Sequence, residues 1–243
     1  MMSSSVIMEQ EELGSYLNLG FLDDEAFEKV TCRYVYGDGV AVSLTYAKEA
    51  HEDAQSDQFV WPAAPALCEY LEQHRELIPN GTVVELGAGC GLAGLAVAQL
   101  QPTATVVFTD QDPGVLKTIE HNCTQQERPQ ATCVTQRLRW GPDGAEEIVA
   151  LEERLSKQPQ SVDLIVGTDV IYARGVVQPL FWTVDRLLTK QPGASFLMCS
   201  SDRYDDTTEA EIDAQCQAFG LERKVLLCHL HEQGTRIQRF TRV

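Results

Sequence analysis

No Cys-x-x-Cys pair occurs in the 243 residues, so zinc-ribbon spacing is absent. No apolar run reaches about 18 residues and no stretch reads as a secretory leader, so neither membrane spanning nor secretion is expected. Positive charge is scarce: 19 Lys and Arg stand against 36 Asp and Glu, a net charge of −17. That balance argues against general nucleic-acid binding, which depends on Lys and Arg neutralising phosphates. It suits a basic partner such as a lysine-bearing protein surface, and serves solubility equally well. Eight cysteines (32, 68, 90, 123, 133, 199, 216 and 228) are scattered, several in apolar runs. They read as reduced core thiols of a cytosolic protein, with the nucleus as an alternative location.

The length and the 44% apolar content suit one large α/β domain, or one domain with a small N-terminal addition. Residues 1–29 read as an acidic arm, partly disordered, because residues 1–60 hold 12 acidic and only 3 basic residues. The arm is either a solvated tail or a contact for a basic substrate. Residues 30–243 read as a single domain that opens with a β-hairpin over 31–46, turning at Gly37-Asp38-Gly39. Phe59-Val60-Trp61-Pro62 leads into a helix with an apolar face at Leu67, Tyr70 and Leu71.

The chain is organised around residues 82–94, TVVELGAGCGLAG. A short apolar run ends in Glu85, a glycine-rich turn follows, and the next residues favour helix. Strand, glycine turn and helix form the first half of a nucleotide-binding βαβ unit. Glycines let backbone N–H groups approach a ligand closely. Gly89 to Gly94 fits G-x-G-x-x-G, which by itself would suggest a dinucleotide, or simply a helix packed tightly on a strand. An acid at Glu85 would repel a pyrophosphate but accept a ligand carrying a positive amino group, such as S-adenosylmethionine.

A second strand over 104–109 ends at Asp110, 21 positions past Gly89, where an acid can grip a ribose hydroxyl pair. Asp112 is the better helix cap. A helix over 114–122 and a third strand over 132–138 follow, closed by Trp140-Gly141. Residues 141–160 are polar and acidic and read as an exposed insertion carrying a short helix. The fourth strand, 162–167, runs into Thr168-Asp169-Val170-Ile171-Tyr172. Asp169 and Tyr172 thus fall at the carboxyl end of a core strand, beside the glycine loop; as ordinary residues they would cap and pack. A helix over 177–188, a strand over 193–200, a helix over 205–219 and two β-rich runs at 224–231 and 235–243 complete the chain. His229 and His231 lack a partner at metal-ligand spacing, and no metal is expected.

Taken in order, VWPAA before the first strand, ELGAGCGL, Thr109-Asp110, Leu138-Arg139-Trp140-Gly141 and DLIVGTDVIY resemble the seven-β-strand protein-lysine methyltransferases. The family's members modify chaperones, elongation factors and calmodulin. The resemblance covers residues 30–243, with D-x-x-Y as its most specific mark. It implies a Rossmann-like class I methyltransferase fold: a seven-stranded, mostly parallel sheet with a C-terminal antiparallel hairpin. It also implies S-adenosylmethionine as cofactor and a protein lysine as acceptor, in an enzyme expected to be a monomer. Residue by residue, Trp61 and Trp140 would flank the cofactor. Gly87, Ala88 and Gly89 would line its amino-acid end with Glu85 close by, Asp110 would hold the ribose, and Thr168 would touch the cofactor. Asp169 and Tyr172 would shape the amine entrance and act in catalysis. Thr168 is bulkier than the alanine the family leads one to expect, and 141–160 looks longer than usual. Rival readings are a small-molecule N-methyltransferase on the same fold, an NAD-dependent oxidoreductase, and a cofactor-binding module without turnover.

Overall fold

Three core strands are apolar on both faces, as strands covered by helices on both sides must be. They are β4 (Thr82–Leu86), β7 (Val162–Thr168) and β8 (Ser195–Ser201). In the computed structural model, which describes residues 7–9, 29–47, 59–156, 162–191, 193–201, 204–229 and 234–242, they lie at the middle of a seven-stranded sheet. Its other members are β5 (Thr105–Asp110), β6 (Thr132–Arg137), β9 (Leu221–His229) and β10 (Thr235–Arg242). The order is β6-β5-β4-β7-β8-β10-β9. All neighbours are parallel except β10, which runs antiparallel to both β8 and β9. The chain reverses direction across the sheet between β4 and β7, the point where ligands bind in open α/β sheets.

Helices cover both faces. One core gathers α1 (Ala63–Gln73), α2 (Leu92–Leu100) and α3 (Pro113–Thr124) against the sheet. Leu67 and Leu71 of α1 are fully buried there, as their spacing implies. The other core gathers α4 (Ala145–Ser156), α5 (Val177–Leu187) and α6 (Asp206–Phe219) around Phe181, Phe196 and Phe240. Those three rings meet at centroid separations of 5.1 to 6.2 Å. Gly220 ends α6 with φ 61° and returns its N–H to the last turn. No helix among the described residues is long and apolar enough to cross a membrane.

Residues 141–160 require a correction. Their described part is not an exposed insertion but the crossover from β6 to β7, with α4 as its helix. Ile148 and Leu151, three apart, are buried against the second core. The glutamates that suggested a solvated insertion lie mostly on the outer face. Glu147 instead turns back and pairs with Arg139 at 3.0 Å, 16% exposed against 46%.

The expected hairpin is present as β2 (Lys29–Tyr36) and β3 (Val40–Ala47), lying outside the main sheet. Three residues of the acidic arm form β1 (Ile7–Glu9), antiparallel to β2. Residues 1–6 and 10–28 of the arm, residues 48–58 and His231 lie outside the described residues.

Alternate residues of β3 are held from the body by side-chain amides. Gln99 Oε1 accepts the Ala41 N–H at 2.8 Å and Nε2 donates to the Ala41 C=O at 3.0 Å. Gln126 does the same at Ser43, and Asn122 at Thr45. The three carboxamides therefore stand in for a neighbouring strand, with the two-residue period that strand geometry requires.

Candidate active site

The glycine loop joins β4 to α2 through three left-handed residues, Gly87 (φ 58°), Gly89 (φ 52°) and Gly91 (φ 84°). Only glycine adopts that region without penalty, so the loop can fold back on the strand ends. Gly94, the last glycine of the pattern, does a different job. It lies inside α2, where a Cβ would overlap Phe108 and the Glu85 carboxylate. Its absent side chain lets the helix lie close on β4 and β5.

Asp110 ends β5, and its Oδ2 accepts the Gly89 N–H at 3.2 Å. Its Oδ1 accepts the Asp112 N–H at 3.1 Å, and Asp112 caps α3 by accepting the Gly114 N–H at 2.6 Å. The ends of β4 and β5 are thereby fixed to each other. Beside them opens a cavity of about 720 Å³, a size suited to a nucleoside-sized ligand. Of the residues singled out from sequence, Trp61, Gly87, Gly89, Asp110, Trp140, Thr168, Asp169 and Tyr172 all line it. Trp140 forms a wall against Gly87, where an added Cβ would come within 3.0 Å of the indole. Trp61 (38% exposed) and Tyr172 (73% exposed) leave aromatic surface open to solvent.

Two expected residues are not on the cavity wall. Ala88 is buried in the loop, its N–H bonded to the Thr109 C=O. Glu85 is 1% exposed, and its Oε2 accepts the Gly94 N–H at 3.1 Å. The carboxyl faces α2 from beneath the loop. Burial, opposed by the Gly94 hydrogen bond and reinforced by the nearby Asp110 charge, pushes its pKa up to about 8. Glu85 therefore supports the loop from behind, off the cavity wall.

Asp169 combines two roles of the chain. It is the one described non-glycine residue with positive φ, 52°, a conformation in which Asp and Asn are enriched. Its Oδ1 accepts the Ser201 N–H at 2.7 Å, and its Oδ2 accepts the Ser201 hydroxyl at 2.8 Å and the Ala63 N–H at 3.2 Å. One carboxylate thus ties the end of β7 to the end of β8 and to the start of α1, two residues from Trp61. It borders the cavity but is already engaged as an acceptor, so its first effect is to shape the site.

The sequence reading missed Tyr204, Arg174 and Asp205, which line the same cavity. Tyr204 follows β8, and the Arg236 guanidinium lies 5.3 Å from its ring centroid. Burial pushes its hydroxyl up to about 12, so it stays protonated. The available signal was positional, since Tyr204 lies just past the carboxyl end of a core strand.

The residues fit a cationic nucleoside ligand. The Asp110 carboxylate lies on the cavity wall, glycines leave the loop backbone approachable, and the Trp140 indole stands against Gly87. Sheet order, crossovers and glycine loop together define the class I, S-adenosylmethionine-dependent methyltransferase fold. The Thermus thermophilus 16S rRNA N2 G1207 methyltransferase, solved with AdoMet and guanosine, superposes with a TM-score of 0.59 at 16% identity, covering 90% of this chain and 51% of that one. A Methanococcus jannaschii fibrillarin does so at 0.53 and 12%, covering 89% and 98%. A family model described as lysine methyltransferase matches residues 42–212, and the chain belongs to that family. Among curated relatives, Danio rerio protein N-lysine methyltransferase METTL21A is 35% identical over 131 residues, 53% of this chain and 54% of the relative. Rattus norvegicus histone-arginine methyltransferase METTL23 is 31% identical over 142 residues, 58% of each. The chain thus spans little more than half the length of these relatives.

Proposed function

We propose that the protein transfers a methyl group from S-adenosylmethionine to a lysine side-chain amine on a protein substrate. The observation that carries this reading is a continuous cavity with the Asp110–Gly89 pair and Trp140 on its wall and D-x-x-Y bordering it at Asp169 and Tyr172. Family membership supports it. Asp110 would accept hydrogen bonds from the ribose, the Gly87–Gly89 backbone would face the amino-acid end, and Trp61 and Trp140 would flank the ligand beside Thr168. Bound there, S-adenosylmethionine supplies an electrophilic methyl on a sulfonium, so the protein's task is positioning.

The acceptor nitrogen must be neutral. For an ordinary lysine this costs about 4–5 kcal/mol at pH 7, and a partly desolvated cavity reduces that cost. Tyr172 would offer its ring face to the incoming ammonium, an interaction of roughly 0.5–2 kcal/mol. Asp169 would fix the position of Trp61 and the β8 end around the amine. The net charge of −17 favours a basic substrate surface. Eight free thiols support a reducing, cytosolic setting.

The test is incubation of the protein with radiolabelled S-adenosylmethionine and an extract from cells lacking it, followed by mass spectrometry of the labelled band. Label on a lysine of one protein is the expected result. The histone-arginine name of the rat relative favours a second reading, methylation of a guanidinium, which the same spectrum distinguishes. Label only on small molecules would overturn both.

A further inference from the structure

Asn122 is fully buried near the end of α3, and its carboxamide bridges two separate parts of the chain. Its Oδ1 accepts the Thr45 N–H at 2.9 Å, while Nδ2 donates to the Thr45 C=O at 3.0 Å and to the Cys90 C=O at 3.0 Å. Thr45 belongs to the hairpin. Cys90 lies in the glycine loop between Gly89 and Gly91, and its C=O belongs to the same peptide unit as the Gly91 N–H, which is itself bonded to Ala88. Gln99 and Gln126 hold β3 by the same paired contacts. Their partners, however, are the hairpin, each other and the Asn122 carbonyl. One of three equivalent rungs therefore also holds the loop.

A loop of left-handed glycines has many accessible conformations, and each bond made to it removes some of them. The Cys90 C=O is buried beneath α3, so losing its donor would leave it without a partner or force the peptide to turn. We propose that Asn122 is a positioning residue for the cofactor site, fixing the Cys90 peptide so that cofactor affinity depends on the docked hairpin. By linkage, cofactor binding must tighten the hairpin to the same extent. This inference rests on the S-adenosylmethionine reading above.

The test is calorimetric titration with S-adenosyl-homocysteine. Asn122→Asp keeps the acceptor for the Thr45 N–H and removes both donations. Gln126→Glu makes the matching change at a rung that does not touch the loop. Asn122→Asp is expected to weaken binding by about tenfold or more, the scale of one lost buried hydrogen bond. Gln126→Glu is expected to stay within about twofold while lowering the melting temperature comparably. Unchanged affinity in Asn122→Asp, or an equal loss in both variants, overturns the inference. Should Asn122→Asp fail to fold, amide exchange on the wild type decides. The ligand should slow exchange at Thr45 more than at Ala41, and equal or no slowing at the two overturns the inference. Absence of heat with the wild type overturns the cofactor reading and this inference together; heat with the wild type and unchanged heat in Asn122→Asp overturns this inference alone.

Discussion

Asp169 and Ser201 are joined twice, by the Ser201 N–H at 2.7 Å and its hydroxyl at 2.8 Å, and the Asp169 N–H is bonded to the Cys199 C=O at 2.9 Å. The ends of β7 and β8 are thereby locked in register at the cavity wall. Asp169→Ala removes this lock and the Ala63 contact, and also places alanine at a positive φ. It is expected to cost about 2–4 kcal/mol of stability and nearly all turnover. Asp169→Asn, which tolerates the same backbone and still accepts the Ser201 N–H, should recover most of the stability. Urea unfolding of the two variants beside single-turnover assays checks this. Full stability in Asp169→Ala would remove the structural role.

Glu85 is expected to make stability fall as pH rises. Burial pushes its carboxyl up to about 8 in the fold from an ordinary 4.5. Between those values the folded chain therefore binds more protons than the unfolded one. The loss is at most about 1.4 kcal/mol per pH unit across that window and levels off above pH 8. Glu85→Gln, whose amide oxygen can still accept the Gly94 N–H, is expected to flatten this dependence. Urea midpoints of both proteins without ligand, at pH 5 and pH 8, provide the comparison. Identical slopes would show that Glu85 is not the titrating group.

Gly94→Ala should be destabilising although alanine is the better helix former. The new methyl would overlap Phe108 and Glu85, and overpacking of this kind costs about 1–3 kcal/mol, against a propensity gain of about 1 kcal/mol. A rise in melting temperature would contradict the close packing of α2 on the sheet.

Tyr172 is 73% exposed, so it can be replaced without disturbing the core. Tyr172→Ala is expected to raise KM for the protein substrate about tenfold, with Tyr172→Phe close to wild type, because the ring face is the proposed contact. Affinity for S-adenosyl-homocysteine should not change in either variant. An equal effect of both substitutions would point to the hydroxyl instead.

Much of the fold was legible in the sequence. Strands buried on both faces leave continuous apolar runs, as in β4 and β7, and the glycine loop between β4 and α2 marks the turn of a nucleotide-binding unit. The place of Asp110 beside the glycine loop was legible by its spacing from Gly89. The orientation of Glu85 was not legible, because a strand-end acid next to a glycine loop does not disclose which side of the sheet it faces, and here its carboxyl meets α2. The 141–160 segment misled because only Ile148 and Leu151 reveal its buried stripe among many acids. The contacts of Gln99, Asn122 and Gln126 with β3 span 58 to 83 positions and leave no local pattern.

The amide rungs along β3 have one more effect. A hairpin lying outside its parent sheet would ordinarily offer a bare margin on which a foreign strand could be templated. Here Ala41, Ser43 and Thr45 have their backbone groups already engaged, so another copy of the chain finds no open register at that margin. Carboxamides from α2, from α3 and from the turn after α3 thus occupy the margin that a pairing strand would need.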